Sequence, residues 1–272
     1  MKRLLKTLLA IALTITVVVP ALLYFLQEKL LFHSQAIDPT ATFDFPGTWE
    51  ERWVAAADGK RQHALYFEAP NAQQTVLYFH GNAGNLAGWG HLAPTFTQRG
   101  YNVLLVDYRG FGKSEGSISN ERQLINDASS FYRALADSIG EENIVLYGRS
   151  LGSGIATQVA AANSPAKLLL ETPYYSMEYV AGQHMSWAPV GLVLKYKLKT
   201  NEHLPKVQCP VFAIHGTSDE VIPVNNAELL AAEHSPLQLT IVKNGMHNNL
   251  EQFQDYHEWL NQALAARWNR VL

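Results

Sequence analysis

Residues Ile144-Val145-Leu146-Tyr147-Gly148-Arg149-Ser150-Leu151-Gly152-Ser153-Gly154 constrain this chain most. An apolar, β-type run leads into Gly-x-Ser-x-Gly and a helix-forming segment follows without a spacer, so a serine sits at a sharp strand-to-helix turn. Small residues two positions to either side let strand and helix pass closely while the serine backbone is held in strain. Ser150 then projects alone beside a helix N-terminus, where the dipole and the free Leu151 N–H favour negative charge. The pentapeptide by itself is weakly specific; its order with two later groups gives it weight. Asp219 follows the apolar strand candidate Val211–Ile214 in His215-Gly216-Thr217-Ser218-Asp219, and His247 follows Leu237–Val242 in Asn244-Gly245-Met246-His247-Asn248-Asn249. Both therefore fall at strand C-terminal ends, where an open α/β sheet gathers its ligands. A serine, a carboxylate and a histidine in that order are a candidate nucleophile, orienting acid and general base. The rival acids are Glu220, which the His-Gly-x-x-Asp spacing disfavours, and Glu171, which ends the preceding strand.

Eight strand candidates run along the chain: Trp49–Ala55, His63–Glu68, Thr75–His80, Asn102–Asp107, Asn143–Tyr147, Lys167–Glu171, Val211–His215 and Leu237–Val242. The first two alternate polar and apolar residues, as exposed antiparallel edge strands do, and the later ones are continuous apolar runs, as buried parallel strands are. Helix-length segments at Leu86–Arg99, Glu121–Ile139, Leu151–Asn163, Asn225–Glu233 and Leu250–Trp268 separate or follow them. That alternation predicts an α/β architecture with an eight-stranded, mostly parallel sheet and helices on both faces. Thr172–Gln208 has no strand candidate and reads as a short cap. Its apolar run Met185–Leu194, followed by Lys195, Lys197 and Lys199, either packs on the sheet with lysines in water or lines an acyl pocket with lysines towards anionic lipid. Tyr174, Met185 and Trp187 are the candidate pocket residues.

Several motifs in register carry a resemblance: Phe25-Leu26-Gln27-Glu28-Lys29-Leu30-Leu31-Phe32, His80-Gly81-Asn82-Ala83-Gly84, Asp107-Tyr108-Arg109-Gly110-Phe111-Gly112-Lys113-Ser114, the Ser150 turn, Glu171-Thr172-Pro173-Tyr174, the His-Gly-x-x-Asp box and Met246-His247-Asn248-Asn249. Over nearly its whole length the chain resembles the α/β hydrolases, in particular their single-pass, membrane-anchored serine-hydrolase branch, which includes protein depalmitoylases and lysophospholipases. The resemblance implies the α/β-hydrolase fold and cleavage of an ester, thioester or amide through an acyl-enzyme on Ser150, His247 and Asp219. It also implies an oxyanion hole in which the N–H of Asn82, or that of Ala83, joins that of Leu151. His80 and Tyr108–Gly112 read as structural elements beside the site, and the role of Arg149 is open. Two other readings keep the fold: a serine peptidase, needing a cap acid to bind a free amine, with Glu178 and Glu202 the only acids between Thr172 and Gln208, and a non-catalytic binding or scaffolding protein.

The 272 residues suffice for one large domain, residues 48–272, and the 47% hydrophobic content fits a sizeable core. Net charge is −3, and three of the 21 cations (Lys2, Arg3, Lys6) form a basic tail over residues 1–6, so the remainder is more acidic still and a nucleic-acid partner is not expected. The single cysteine, Cys209, and the histidine spacings imply no metal site, and the proposed chemistry needs no cofactor. Residues 7–26 carry no charged side chain and would span about 30 Å as a helix, the thickness of a bilayer core. They predict a transmembrane anchor with the N-terminus cytoplasmic and the catalytic domain on the opposite side, joined by a linker over residues 27–47. The partners expected are therefore membrane lipid at the anchor and a small-molecule or acylated substrate at the site; the oligomeric state is not readable. The alternative is a signal peptide cleaved near Ser34-Gln35-Ala36, giving a secreted enzyme.

Overall fold

Successive residues of a strand point to opposite sides of a sheet, so a continuous apolar run fills two layers at once. The computed structural model, which describes residues 2–187 and 190–266, shows this in its central strands. Ten strands are present among the described residues: β1 (His33–Ser34), β2 (Thr48–Ala55), β3 (Arg61–Glu68), β4 (Thr75–Phe79), β5 (Ala83–Gly84), β6 (Asn102–Val106), β7 (Ile144–Arg149), β8 (Lys167–Glu171), β9 (Val211–Gly216) and β10 (Leu237–Val242). All but β1 and β5 form one sheet in the order β10-β9-β8-β7-β4-β6-β3-β2. Pairing is parallel except where β3 meets β2 and β6. The eight expected strands and the mostly parallel sheet are thus present, with the α/β-hydrolase architecture.

The helices are α1 (Lys2–Leu13), α2 (Val19–Leu31), α3 (Leu86–Trp89), α4 (Pro94–Thr97), α5 (Glu121–Ile139), α6 (Leu151–Ala161), α7 (Met177–His184), α8 (Val190–Val193), α9 (Thr200–His203), α10 (Asn225–Glu233) and α11 (Gln254–Ala265). Leu77, Phe79, Leu104, Val106, Ile144 and Leu146 pack with α5 and α6 on one face. Their neighbours Val76, Tyr78, Val103, Leu105, Val145 and Tyr147 pack with α11, Leu86 and Phe96 on the other. Each such Leu, Val or Phe contributes about 1.5–3 kcal/mol by leaving water. Tyr78 and Tyr147 stack with ring centroids 4.8 Å apart in the second layer.

Two elements differ from expectation for identifiable reasons. β3 is not an exposed edge: it lies between β2 and β6, so its Gln62 and His63 are buried, and of the two expected edge strands β2 alone lies at the margin. Leu86–Arg99 is not one helix, because a tight turn at Gly90–Leu92 and Pro94 divide it. A Cβ at Gly90 would lie 2.4 Å from the Phe45 ring, so the break admits that ring into the core. Trp268, the expected end of the last helix, and Ala188-Pro189 of the cap lie outside the described residues.

The N-terminal reading is corrected. No helix among the described residues is long and apolar enough to cross a membrane. The uncharged stretch is shared between helices of 12 and 13 residues separated by π-helical turns at Thr14–Val18. Each spans about 20 Å against the ~30 Å of a bilayer core, so the transmembrane anchor and the sidedness derived from it do not stand. Residues 27–47 pack on the domain: Gln27, Phe32 and Phe45 are buried, β1 pairs in parallel with β5, and Ala36 bridges to Gly112.

Candidate active site

Three strands of the parallel sheet deliver the candidate residues at their C-terminal ends. At the end of β7, Ser150 has φ 52° and ψ −117°, a conformation that costs a non-glycine residue about 1–3 kcal/mol. The flanking glycines permit it: a Cβ at Gly152 would lie 2.0 Å from the Phe79 carbonyl oxygen, and one at Gly148 2.4 Å from that of Gly152. The Ser150 N–H donates to the Glu171 carbonyl (2.9 Å), and Ser153 returns both its N–H (2.9 Å) and its Oγ–H (2.7 Å) to the Ser150 carbonyl. The turn is therefore fixed on both sides.

The loops after β9 and β10 are interlocked. Thr217 N–H donates to the Val242 carbonyl (2.9 Å), Ser218 N–H to that of Gly245 (2.8 Å), and Asn244 N–H to Thr217 Oγ1 (2.9 Å). A Cβ at Gly216 would lie 2.2 Å from the Gly245 carbonyl, so only glycine lets the two loops touch there. This lock sets Asp219 Oδ2 2.8 Å from His247 Nδ1, and His247 Nε2 3.0 Å from Ser150 Oγ. Asp219 is buried, with Oδ1 accepting the N–H groups of Val221 (2.9 Å) and Ile222 (2.8 Å). Burial alone would raise its pKa, but the hydrogen bonds from His215 and His247, with the Ile222 amide, hold it well below the usual carboxylate range. An ionised carboxylate only accepts, so the proton between them belongs to His247 Nδ1 and leaves Nε2 free to accept from Ser150 Oγ–H.

Glu171 is engaged elsewhere. It takes the Tyr147 hydroxyl (2.5 Å) and faces Arg149 Nε at 3.2 Å. Arg149 is buried; burial opposes its charge, yet the Glu171 carboxylate together with Tyr78, Tyr147 and Glu251 outweighs it and raises the guanidinium above its ordinary value. Its Nη2 reaches the His247 carbonyl (3.4 Å) and Asn248 Oδ1 (3.3 Å), so Arg149 braces the histidine loop from beneath.

The loop after β4 lies against the serine: a Cβ at Gly81 would be 3.8 Å from the Ser150 Cβ. Among the described residues, neither the Leu151 nor the Asn82 N–H donates to a protein acceptor. His80 is buried, stacks on Trp89 at 5.4 Å, and its Nδ1 lies 2.6 Å from the Gly81 carbonyl. The peptide bond is planar and trans, so a ring N–H holding the Gly81 carbonyl directs the Asn82 N–H the opposite way. Tyr108, fully buried on the next strand loop, donates its hydroxyl to the His80 carbonyl (2.7 Å).

The pocket candidates are dispersed. Tyr174 is wholly buried under α6, its hydroxyl donating to the Leu151 carbonyl (3.1 Å), so it supports the turn. Met185 lines an apolar cavity of about 70 Å³ between α2 and the cap, and Trp187 is 61% exposed. The cap lysines are paired, Lys195 with Glu28 (2.9 Å), Lys197 with Glu178 (3.8 Å) and Lys199 with Glu202 (2.5 Å). A cavity of about 800 Å³ at the other end of the sheet, beside Lys167 and Asn143, contains none of the candidate residues. Sequence reasoning missed His215, whose Nε2 lies 3.2 Å from Asp219 Oδ2, although the His-Gly-x-x-Asp box contains it. It also missed residues 31–35, Leu-Phe-His-Ser-Gln, whose mixed composition carries no period.

The sheet order and the turn at Ser150 define an α/β hydrolase, and the chain belongs to that family as a serine-hydrolase-type enzyme. A family model described as serine aminopeptidase, S33, matches residues 70–198. The α/β hydrolase domain-containing protein WAV2 of Arabidopsis thaliana is 31% identical over 260 residues, 84% of this chain and 83% of that protein. The lysophosphatidylserine lipase ABHD12 of Danio rerio is 30% identical over 201 residues, covering 65% of this chain and 50% of that protein. The structure of the Pyrococcus furiosus esterase Pf2001 matches with a TM-score of 0.69 at 15% identity, over 86% of this chain and 97% of that one, a likeness of fold.

Proposed function

We propose that this chain is a serine esterase or thioesterase of lipid or acyl-protein type, working through an acyl-enzyme. The observation that carries the proposal is the unbroken line Asp219 Oδ2, His247 Nδ1, His247 Nε2, Ser150 Oγ, with contacts of 2.8 and 3.0 Å. Ser150 Oγ attacks the acyl carbon while His247 Nε2 takes its proton, and Asp219 stabilises the imidazolium without being protonated. The oxyanion that forms accepts from the Leu151 and Asn82 N–H groups. His247 then gives its proton to the leaving alcohol or thiol, the acyl group remains on Ser150, and a water activated by the same histidine releases the acid.

A lysophosphatidylserine lipase among the relatives supports an acyl ester over an amide. The description of the family model favours the peptidase as second reading. Against it, the two cap acids available to bind a free amine, Glu178 and Glu202, already face Lys197 and Lys199. A fluorophosphonate should label Ser150 and leave Ser150→Ala unlabelled. Turnover of acyl esters graded in length, set against matched thioesters and aminoacyl amides, then decides between the readings: faster cleavage of the amides sinks the esterase, and no labelling with no turnover sinks both.

A further inference from the structure

The loop that carries the Asn82 N–H is held from outside. Asn82 Nδ2 donates to the Leu31 carbonyl (3.2 Å), His33 N–H to the Asn82 carbonyl (2.8 Å), Gln35 N–H to the Gly84 carbonyl (3.4 Å), and Asn85 Nδ2 to the Gln35 carbonyl (2.9 Å). Residues 31–35 thus run beside the loop and bond to it at every second position. They are anchored in turn: the Gln35 carbonyl also accepts the Gly112 N–H (3.0 Å), Ile37 N–H donates to the Gly112 carbonyl (3.0 Å), and Phe32 is buried edge-on against Tyr196 with centroids 4.9 Å apart. Upstream, α2 grips the cap. The buried Gln27 donates Nε2 to the Val193 carbonyl (3.0 Å) and accepts the Lys195 N–H (2.7 Å), while Glu28 takes Lys195 Nζ (2.9 Å) and the Tyr196 hydroxyl (3.2 Å).

We propose that residues Leu31–Gln35 are a strap that positions the oxyanion amides, with the Asn82 side chain as the positioning contact in the loop and Gln27 as the point at which the cap holds the strap. This rests on the serine-hydrolase reading above. Peptide planarity gives the mechanism. The His33 N–H holds the Asn82 carbonyl and so sets the plane of the Ala83 N–H, while the Leu31 contact fixes the side chain of the residue whose own N–H is turned by His80. Either amide that meets the oxyanion is therefore oriented by a neighbour that touches no substrate. Loss of one oxyanion donor lowers kcat roughly 10²–10³-fold, and an ångström of misplacement roughly 10²-fold, so loosening the strap should register in turnover.

The test uses the full chain, a soluble short-chain ester, and a trifluoromethyl ketone. The ketone carbon bonds to Ser150 Oγ, the serine proton passes to His247, and the ketone oxygen becomes the oxyanion, so its affinity reports the oxyanion site directly. Asn82→Leu, close in shape and without a donor, should lower kcat about 10- to 100-fold with KM within about two-fold, and weaken ketone binding by the same factor as kcat/KM. Gln27→Met, remote from the loop, should lower kcat several-fold in the same pattern. The strap is overturned if both variants keep kcat and ketone affinity within two-fold of the parent, or if they change KM and Tm while kcat stays. If Asn82→Leu does not fold, Gln27→Met decides by the same criteria. A parent protein that neither turns over esters nor is labelled at Ser150 overturns the hydrolase reading and the strap with it, an outcome visible before any substitution is made.

Discussion

At the scale of single residues, Ser150, His247 and Asp219 are expected to behave as one unit. Ser150→Ala and His247→Ala should each lower turnover by roughly 10⁴-fold or more, and the double variant should lose little beyond either; additive losses would count against a shared mechanism. Asp219→Asn should be milder than either, because the histidine keeps its place and loses the partner that sets its tautomer. Glu171→Gln separates the rival acids. It removes the partner of a buried guanidinium, so it should destabilise the fold by about 3–5 kcal/mol in urea melts while the folded enzyme keeps turnover within about ten-fold. A folded Glu171→Gln as inactive as Asp219→Asn would reassign the acid. These three positions were legible because each follows an apolar strand within five residues, a pattern local in sequence. His215 and the Arg149–Glu171 pair were not, because their roles come from neighbours across the sheet: Arg149 and Glu171 share a register position on β7 and β8, and His215 meets Asp219 only when the loop after β9 folds back.

At the scale of elements, the two glycines Gly152 and Gly182 make opposite forecasts. Gly152→Ala drives a methyl against the Phe79 carbonyl at 2.0 Å, where the nearest atoms are all backbone and cannot swing aside, so it should cost about 1–3 kcal/mol and disturb the serine turn with it. Gly182 lies inside α7 with its nearest neighbour 3.9 Å away, so Gly182→Ala should stabilise by up to about 1 kcal/mol through helix propensity alone. Urea midpoints at constant m-value would check both, and equal signs would contradict the packing described. The long strands and helices could be read from periodicity because each buries several residues in a row. Residues 27–47 could not: Gln27, Phe32 and Phe45 are isolated buried positions with no period, and β1 and β5 have two residues each. The apolar stretch before them misled for the converse reason, since hydropathy averages over residues 7–26 without registering where the helix is interrupted.

At the scale of the whole molecule, the N-terminal region divides into a part that can be spared and a part that cannot. Leu4, Leu5, Ile11, Leu13, Val17 and Val18 are exposed, so removing residues 1–18 should leave Tm within a few degrees of the parent. Removing residues 1–36 also strips Phe32 from the core; at about 3–5 kcal/mol for a buried phenylalanine and about 2–4 °C per kcal/mol, Tm should fall by roughly 10 °C. Equal melting temperatures for the two truncations would contradict the packing of residues 27–36. The buried phenols have a consequence for alkali. Burial raises Tyr78, Tyr108, Tyr147 and Tyr174 well above their ordinary ionisation range. A group raised in the folded state lends stability that is complete below its unfolded pKa, about 10, and is lost as pH climbs past it. These four of the twelve tyrosines should therefore stay dark in the near-ultraviolet phenolate band until the chain opens, then brighten together as helical circular dichroism collapses. The enzyme carries its own optical gauge of unfolding, read without a dye, and a smooth rise of all twelve with the fold intact would show the gauge to be absent.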